Sequence, residues 1–280
     1  MGDCNSCAGK LACSDKENCS KLFPKHGKIK KLIGVMSGKG GVGKSTVTGI
    51  LAIELRKAGF TVGVLDGDIT GPSMPRFFGV NNQRAEMSQV ESSEEVKFEP
   101  VITSTGIKLI SLNLLTEQED EPVIWRGPVI TGVLTQMYTD TNWGELDYLL
   151  IDMPPGTGDV ALTVMQSLPV DGAIIVATPQ DMVTMIVKKN VIMAQKMNIK
   201  LLGVVENMCY IKCNNCMKHI KVFSKKTGEE QAKILGIPLL MELPIDLDLV
   251  ENMEEGKAES YIVNSRLYKL LLENFNKNLE

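Results

Sequence analysis

The sequence predicts a doubly wound α/β fold with a mostly parallel sheet, preceded by a cysteine-rich N-terminal appendage. Three observations predict it. Short apolar runs alternate with stretches of helical spacing along most of the 280 residues, and such alternation folds as parallel strands joined by crossover helices. The first run leads directly into a glycine-rich turn at residues 37–46, followed by a helical pattern. A hydrophobic content of 44% with only 5% aromatic residues supplies one large aliphatic core.

Residues 1–28 are polar, hold Cys4, Cys7, Cys13 and Cys19, and lack an apolar period, so they read as a metal-organised or flexible segment. The main domain is expected over residues 29–280. Its strands are expected at 30–36, 61–66, 107–112, 148–152, 173–177, 201–205 and 238–243, and its first helix at 45–57. Residues 81–99, rich in Glu, Ser and Asn, read as an exposed excursion. In the tail, 260–280, apolar residues recur at helical spacing while Arg266, Lys269 and Lys277 are balanced by Glu273 and Glu280, which predicts packing against the core.

The net charge of −4 and the lack of a basic stripe beyond Lys28, Lys30 and Lys31 argue against a dedicated nucleic-acid binder. No apolar segment opens the chain, and none approaches the roughly 20 residues that span a bilayer. A cytoplasmic protein without membrane partners is expected.

Gly38, Gly43, Lys44 and Ser45 satisfy the G-x-x-x-x-G-K-[ST] spacing of a phosphate-binding loop, with Gly40, Gly41, Val42 and Thr46 completing it. Glycines let successive backbone N–H groups turn toward a triphosphate, Lys44 meets the β- and γ-phosphates, and the Ser45 hydroxyl meets Mg²⁺. Asp66 and Asp68 follow the second strand. Two carboxylates two residues apart at a strand end suit water orientation and support of Mg²⁺, or a helix cap; Asp68 is the first choice for orienting water and Asp66 the second. The run 148–152 ends in Asp152, a Walker B arrangement that would hold the Mg²⁺ shell, and Gly156 and Gly158 leave the next segment free to switch.

Lys39 is a second lysine in the loop. Gly-Lys-Gly-Gly-x-Gly-Lys-[Ser/Thr] resembles the deviant phosphate loop of the MinD, ParA, ArsA and nitrogenase-iron-protein group of ATPases. The resemblance implies a MinD-like P-loop NTPase and a homodimer in which Lys39 reaches the partner's ATP. By the same resemblance Asn207 contacts adenine and the segment at Pro244 closes over the base.

Seven cysteines in a reducing compartment suit metal ligation better than disulfides, and Cys209, Cys213 and Cys216 cluster late in the chain. The two thiolates of Cys213-x-x-Cys216 cannot complete a zinc or cubane site alone; a two-fold axis would bring four around one [4Fe-4S] cluster. Together with Trp125-Arg126-Gly127-Pro128, Thr178-Pro179-Gln180 and Glu206-Asn207-Met208, these motifs resemble the Mrp/ApbC family over about residues 28–275. The resemblance implies a slow ATPase that carries a [4Fe-4S] cluster to apo-proteins, with Cys213 and Cys216 as transfer ligands. Asn214 and Met217 stand where the family often has Pro and Gly, and His219 is an alternative ligand or an incidental side chain. The spacing of Cys4, Cys7 and Cys13 resembles an amino-terminal cluster motif of the family's eukaryotic cytosolic branch. Cys19 could supply a fourth ligand to a [4Fe-4S] cluster, with zinc or an unmetallated tail as alternatives. The competing functions are a MinD- or ParA-like positioning ATPase with a structural zinc at Cys-x-x-Cys, and an electron-transfer reductase that retains its cluster.

Overall fold

Chain order dictates a parallel sheet, and the computed structural model shows one. It describes residues 21–69, 71–89, 96–116, 127–213, 215–224 and 226–279. The first strand, β1 (His26–Ser37), enters the core as an unbroken apolar run from Leu32 to Met36 and feeds helix α1 (Lys44–Lys57) through the glycine loop. Strand β2 (Val62–Asp66) and the short helix α2 (Met74–Phe77) follow. The next elements are β3 (Glu86–Gln89), β4 (Val96–Glu99), β5 (Val101–Ile102) and β6 (Lys108–Ile110). Helix α3 (Gly127–Thr139) then precedes β7 (Asn142–Asp152), and α4 (Asp159–Ser167) precedes β8 (Gly172–Ala177). Helix α5 (Asp181–Lys196) leads to β9 (Leu201–Glu206), from which a hairpin of β10 (Tyr210–Lys212) and β11 (His219–Lys221) projects. Helix α6 (Gly228–Leu235), β12 (Leu239–Glu242), α7 (Leu247–Glu254), α8 (Ala258–Asn264) and α9 (Lys269–Leu279) end the chain.

The main sheet runs β12-β9-β8-β1-β7-β2-β6-β5, with only β5 antiparallel to its neighbour. Central strands are buried on both faces, which is why they read as continuous rather than alternating apolar runs. The pleat divides the core: Ile174 and Val176 join the larger apolar cluster, whereas Ile175 and Ala177 join a smaller one with Val187 and Val191 of α5 and Ala232 and Leu235 of α6. Helix α1 packs on the larger cluster with α8 and α9, where Tyr268, Leu271 and Phe275 are fully buried. The tail therefore packs on the core, as its spacing predicts.

Every expected strand is present, and β1 and β7 start four and six residues earlier than expected. β1 and β7 extend together from His26 and Asn142, because each supplies the other's backbone partners and Lys30 pairs with Asp147 at 2.7 Å. Gly27 and Gly144 permit this extension; a Cβ on Gly27, at φ +122, would stand 2.3 Å from the Gly144 carbonyl oxygen. The 81–99 excursion is corrected in part. β3 and β4 form an antiparallel hairpin with Met87 opposite Phe98, and Phe98 is buried while its N–H donates to the Asp140 carbonyl at 3.0 Å. One apolar anchor within polar sequence gives no period to read. Among the described residues no helix is long and apolar enough to cross a membrane.

Candidate functional site

The β1–α1 turn, the ends of β2 and β7, and the loop after β8 converge at the carboxyl end of the sheet, where open α/β folds bind ligands. Gly41 and Gly43 adopt φ of +75° and +78°. Gly43 caps α1 with no side-chain hydrogen bond, leaving the first-turn N–H groups directed at the loop, and a helix N-terminus so arranged attracts phosphate. Ser37, Lys39, Gly40, Gly43, Lys44, Ser45, Thr46 and Asp68 line a cavity of about 280 Å³ there.

The polar groups are tightly interlocked. Lys44 Nζ lies 2.7 Å from Asp152 Oδ2 and 3.8 Å from Asp68 Oδ2. The Ser45 hydroxyl donates to Asp152 Oδ2 at 2.5 Å, and the Thr48 hydroxyl donates to its Oδ1 at 2.8 Å. Asp152 is thus fully buried yet surrounded by donors, and the Ser45–Asp152 pair fits the hard oxygen environment of Mg²⁺. Asp66 stands beside Asp152 across the β2–β7 register. Burial first, and then the Asp152 charge, push its carboxyl up to about 7, opposed by Lys44, the Ser111 hydroxyl and the Met74 N–H. The Asp66 oxygens accept from Ser111, Met74 and Asp68. Asp68 remains partly exposed and faces the cavity. Sequence reasoning missed Thr48 and Ser111. Thr48, one turn beyond Lys44 on α1, was findable; Ser111 arrives from a distant loop with no local signal.

Lys39 Nζ donates to Gln180 Oε1 of the same chain at 2.9 Å. Asn207, just past β9, donates from Nδ2 to the Val42 carbonyl at 3.0 Å while its Oδ1 accepts the Met208 N–H. These bonds use one of the two Nδ2 donors and one of the two Oδ1 lone pairs. Pro244 lines a different cavity, of about 740 Å³, with Tyr210, Lys212, Met217, His219 and Asp246 beside the β10–β11 hairpin.

That hairpin carries the Cys-x-x-Cys at its turn. Lys212 pairs with His219, the Cys213 N–H donates to the Lys218 carbonyl, and Met217 closes the turn at φ +59. Cys213 is half-buried and Cys216 exposed. The Cys213 thiol is held below the ordinary thiol range by the Cys216 N–H, then the Asn215 N–H and the Cys216 side chain. His219 stacks on Tyr210 with ring centroids 3.9 Å apart, a structural use that its lone position concealed. Cys209 is buried and belongs to other surroundings. Cys4, Cys7, Cys13 and Cys19, with Trp125 and Arg126, lie outside the described residues.

Residues 28–278 match the family model described as ParA: NUBPL iron-transfer P-loop NTPase. The chain belongs to that family. Among curated proteins, an iron-sulfur cluster carrier protein of Clostridium perfringens is 61% identical over 98% of this chain and 99% of its own. A carrier of the same name from Methanocaldococcus jannaschii is 44% identical, covering 91% of this chain and 88% of its own. A cytosolic Fe-S cluster assembly factor of Candida glabrata is 43% identical, covering 88% of each. Among solved structures, a nucleotide-binding protein of Archaeoglobus fulgidus in complex with ADP superposes with a TM-score of 0.73 at 41% identity, over 86% of this chain and 90% of that one. The Pyrococcus furiosus cell-division ATPase MinD, 20% identical with a TM-score of 0.59 over 89% and 99%, shares the fold. As a P-loop NTPase of this family, the protein has its phosphate loop on the α1 N-terminus and its Cys-x-x-Cys on a hairpin that follows the carboxyl end of β9.

Proposed function

We propose that this chain is an ATP-hydrolysing carrier that holds a [4Fe-4S] cluster, its cargo, between Cys213 and Cys216 of two copies and delivers it to apo-proteins in the cytoplasm. One observation carries the reading. Asn207 grips the Val42 carbonyl inside the phosphate loop, and the same short segment runs on through β10 to Cys213. A change in the loop would thereby reach the thiols through that hydrogen bond and the chain from Asn207 to Cys213. The names of the Clostridium, Methanocaldococcus and Candida relatives support the cargo.

Lys44 and the α1 N–H groups would hold the phosphates, with Ser45 and Asp152 holding Mg²⁺, which when bound neutralises phosphate charge. Asp68 orients the attacking water, since it faces the cavity while Asp66 is enclosed by donors. Lys39 exchanges Gln180 for the partner's γ-phosphate, so dimer assembly and hydrolysis are linked. Exposure of Cys216 suits a cluster that must leave. Cys4, Cys7, Cys13 and Cys19 would be ligands of an N-terminal [4Fe-4S] or zinc site ahead of the main domain, which begins with β1 at His26 rather than at residue 29.

Anaerobic reconstitution tests the assignment. The Cys213→Ala/Cys216→Ala variant is expected to hold about two fewer irons per chain than wild type, half of one shared cluster. Equal iron in both proteins, or zinc in place of iron, would remove the carrier reading and leave a positioning ATPase with a structural metal. Transfer from a Lys39→Ala variant should be slower than from wild type with ATP present.

A further inference from the structure

Below the hairpin, a second constellation of ligand atoms has no part in the chemistry above. Parallel pairing of β12 with β9 sets Glu242 directly beside Glu206. Met208, at φ +59, then turns the chain so that the Cys209 N–H donates to the Leu243 carbonyl, and the thiol comes back over the two carboxylates. One ligand atom from each of Glu206, Cys209 and Glu242 lies within 4.8 Å of the others, and Cys209 Sγ is 4.0 Å from Glu206 Oε2.

Two further observations distinguish this group from an ordinary acidic cluster. Glu206 is 1% exposed, and its Oε1 has no hydrogen-bond partner among the described residues. Glu242 has one carboxylate oxygen fixed by the Gly228 N–H at the start of α6, which orients the group. A buried carboxylate oxygen with no donor is costly unless a proton or a cation meets it.

We infer that Glu206, Cys209 and Glu242 form a binding site for one divalent first-row transition-metal ion, separate from Cys213 and Cys216. One thiolate with two carboxylates favours zinc(II), iron(II) or cobalt(II) over Mg²⁺ or Ca²⁺, which prefer oxygen alone. Metal–sulfur and metal–oxygen bonds of about 2.3 and 2.1 Å require the triangle to contract by roughly 1 Å, within reach of rotamer adjustment. Glu242 is only half-buried, so the fourth position opens to solvent. On binding, the Cys209 sulfur loses its proton to solvent and its hydrogen bond to the Glu206 carbonyl, and gains the metal bond. Burial and the two carboxylates raise the Cys209 thiol, and burial with Glu242 raises Glu206 to about 7. Lys221, on exposed β11, opposes both effects, and its Nζ donates to the Lys226 carbonyl. The inference does not depend on the carrier reading.

The test uses the full chain with Cys4, Cys7, Cys13, Cys19, Cys213 and Cys216 replaced by Ser, leaving Cys209 as the sole thiol. Anaerobic titration with cobalt(II) should produce a near-ultraviolet thiolate-to-cobalt band that saturates at one ion per chain. Adding Cys209→Ser should abolish the band, and adding Glu206→Gln should weaken binding at least tenfold. Cobalt should also raise the melting temperature of the Cys209-only protein but not of its Cys209→Ser derivative. Because Glu206→Gln removes a buried charge, it should melt no lower than its parent without metal, so weaker binding cannot be ascribed to unfolding. Absence of the band at millimolar cobalt, or binding indifferent to Glu206→Gln, would overturn the site and leave a protonated, purely structural cluster.

Discussion

At the residue scale, the phosphate-loop site depends on carboxylates whose state is set by their neighbours. Asp66 has an ordinary value of 3.8 and stands near 7 when folded, so between those values the native state holds a proton that the unfolded chain has lost. Stability from this group is therefore present below about pH 4 and is lost as the pH rises toward 7. Thermal melts in the presence of a chelator should show the Asp66→Asn variant gaining on wild type from pH 4 to pH 8, by on the order of 2 kcal/mol or about 5 °C. A pH-independent difference would remove the buried-charge account. Lys44 and Ser45 were legible because the loop motif fixes their spacing, and Asp152 because it ends an apolar strand. Thr48 and Ser111 were not, because a hydroxyl that meets a carboxylate from another element leaves no mark nearby.

At the element scale, the β10–β11 hairpin is too short to hold itself by backbone bonds alone. The Tyr210–His219 stack adds about 0.5–1.5 kcal/mol of local support beneath Cys213. His219→Ala should leave ADP affinity within about twofold while a reconstituted cluster is lost to a chelator several-fold faster, followed by absorbance decay. An unchanged decay would show that the stack does not govern the hairpin. The Cys-x-x-Cys was evident in the sequence, but its placement on a hairpin turn was not, since the β10 and β11 runs are short and lack an apolar face. The β3–β4 hairpin escaped for the same reason.

At the scale of the whole molecule, the C-terminal helices belong to the one core. Glu259 of α8 binds Thr103, Ser104 and Thr105 through their hydroxyls, and the Ser104 and Thr105 N–H groups, clasping the turn between β5 and β6. Phe275 packs edge-on to Tyr148 with centroids 5.9 Å apart. Phe275→Ala should cost about 3–5 kcal/mol in urea denaturation, and the loss should appear as a shifted midpoint of a single transition. Unfolding of the tail alone, at lower urea than the sheet, would show it to be a detachable module.

The sequence by itself determined the parallel sheet, the phosphate loop, the aspartate that ends β7, the Cys-x-x-Cys pair and the packed tail. Each is a local pattern: a run of buried strand, a spacing of glycines and cations, or a periodic face. Only the tertiary structure decided that Asn207 holds the phosphate loop, that Lys39 rests on Gln180, and that Glu206, Cys209 and Glu242 bring ligand atoms within 4.8 Å of one another. These contacts arise from strand register and from loops brought together across long stretches of chain. Register depends on the closing of the whole sheet, which no segment specifies alone.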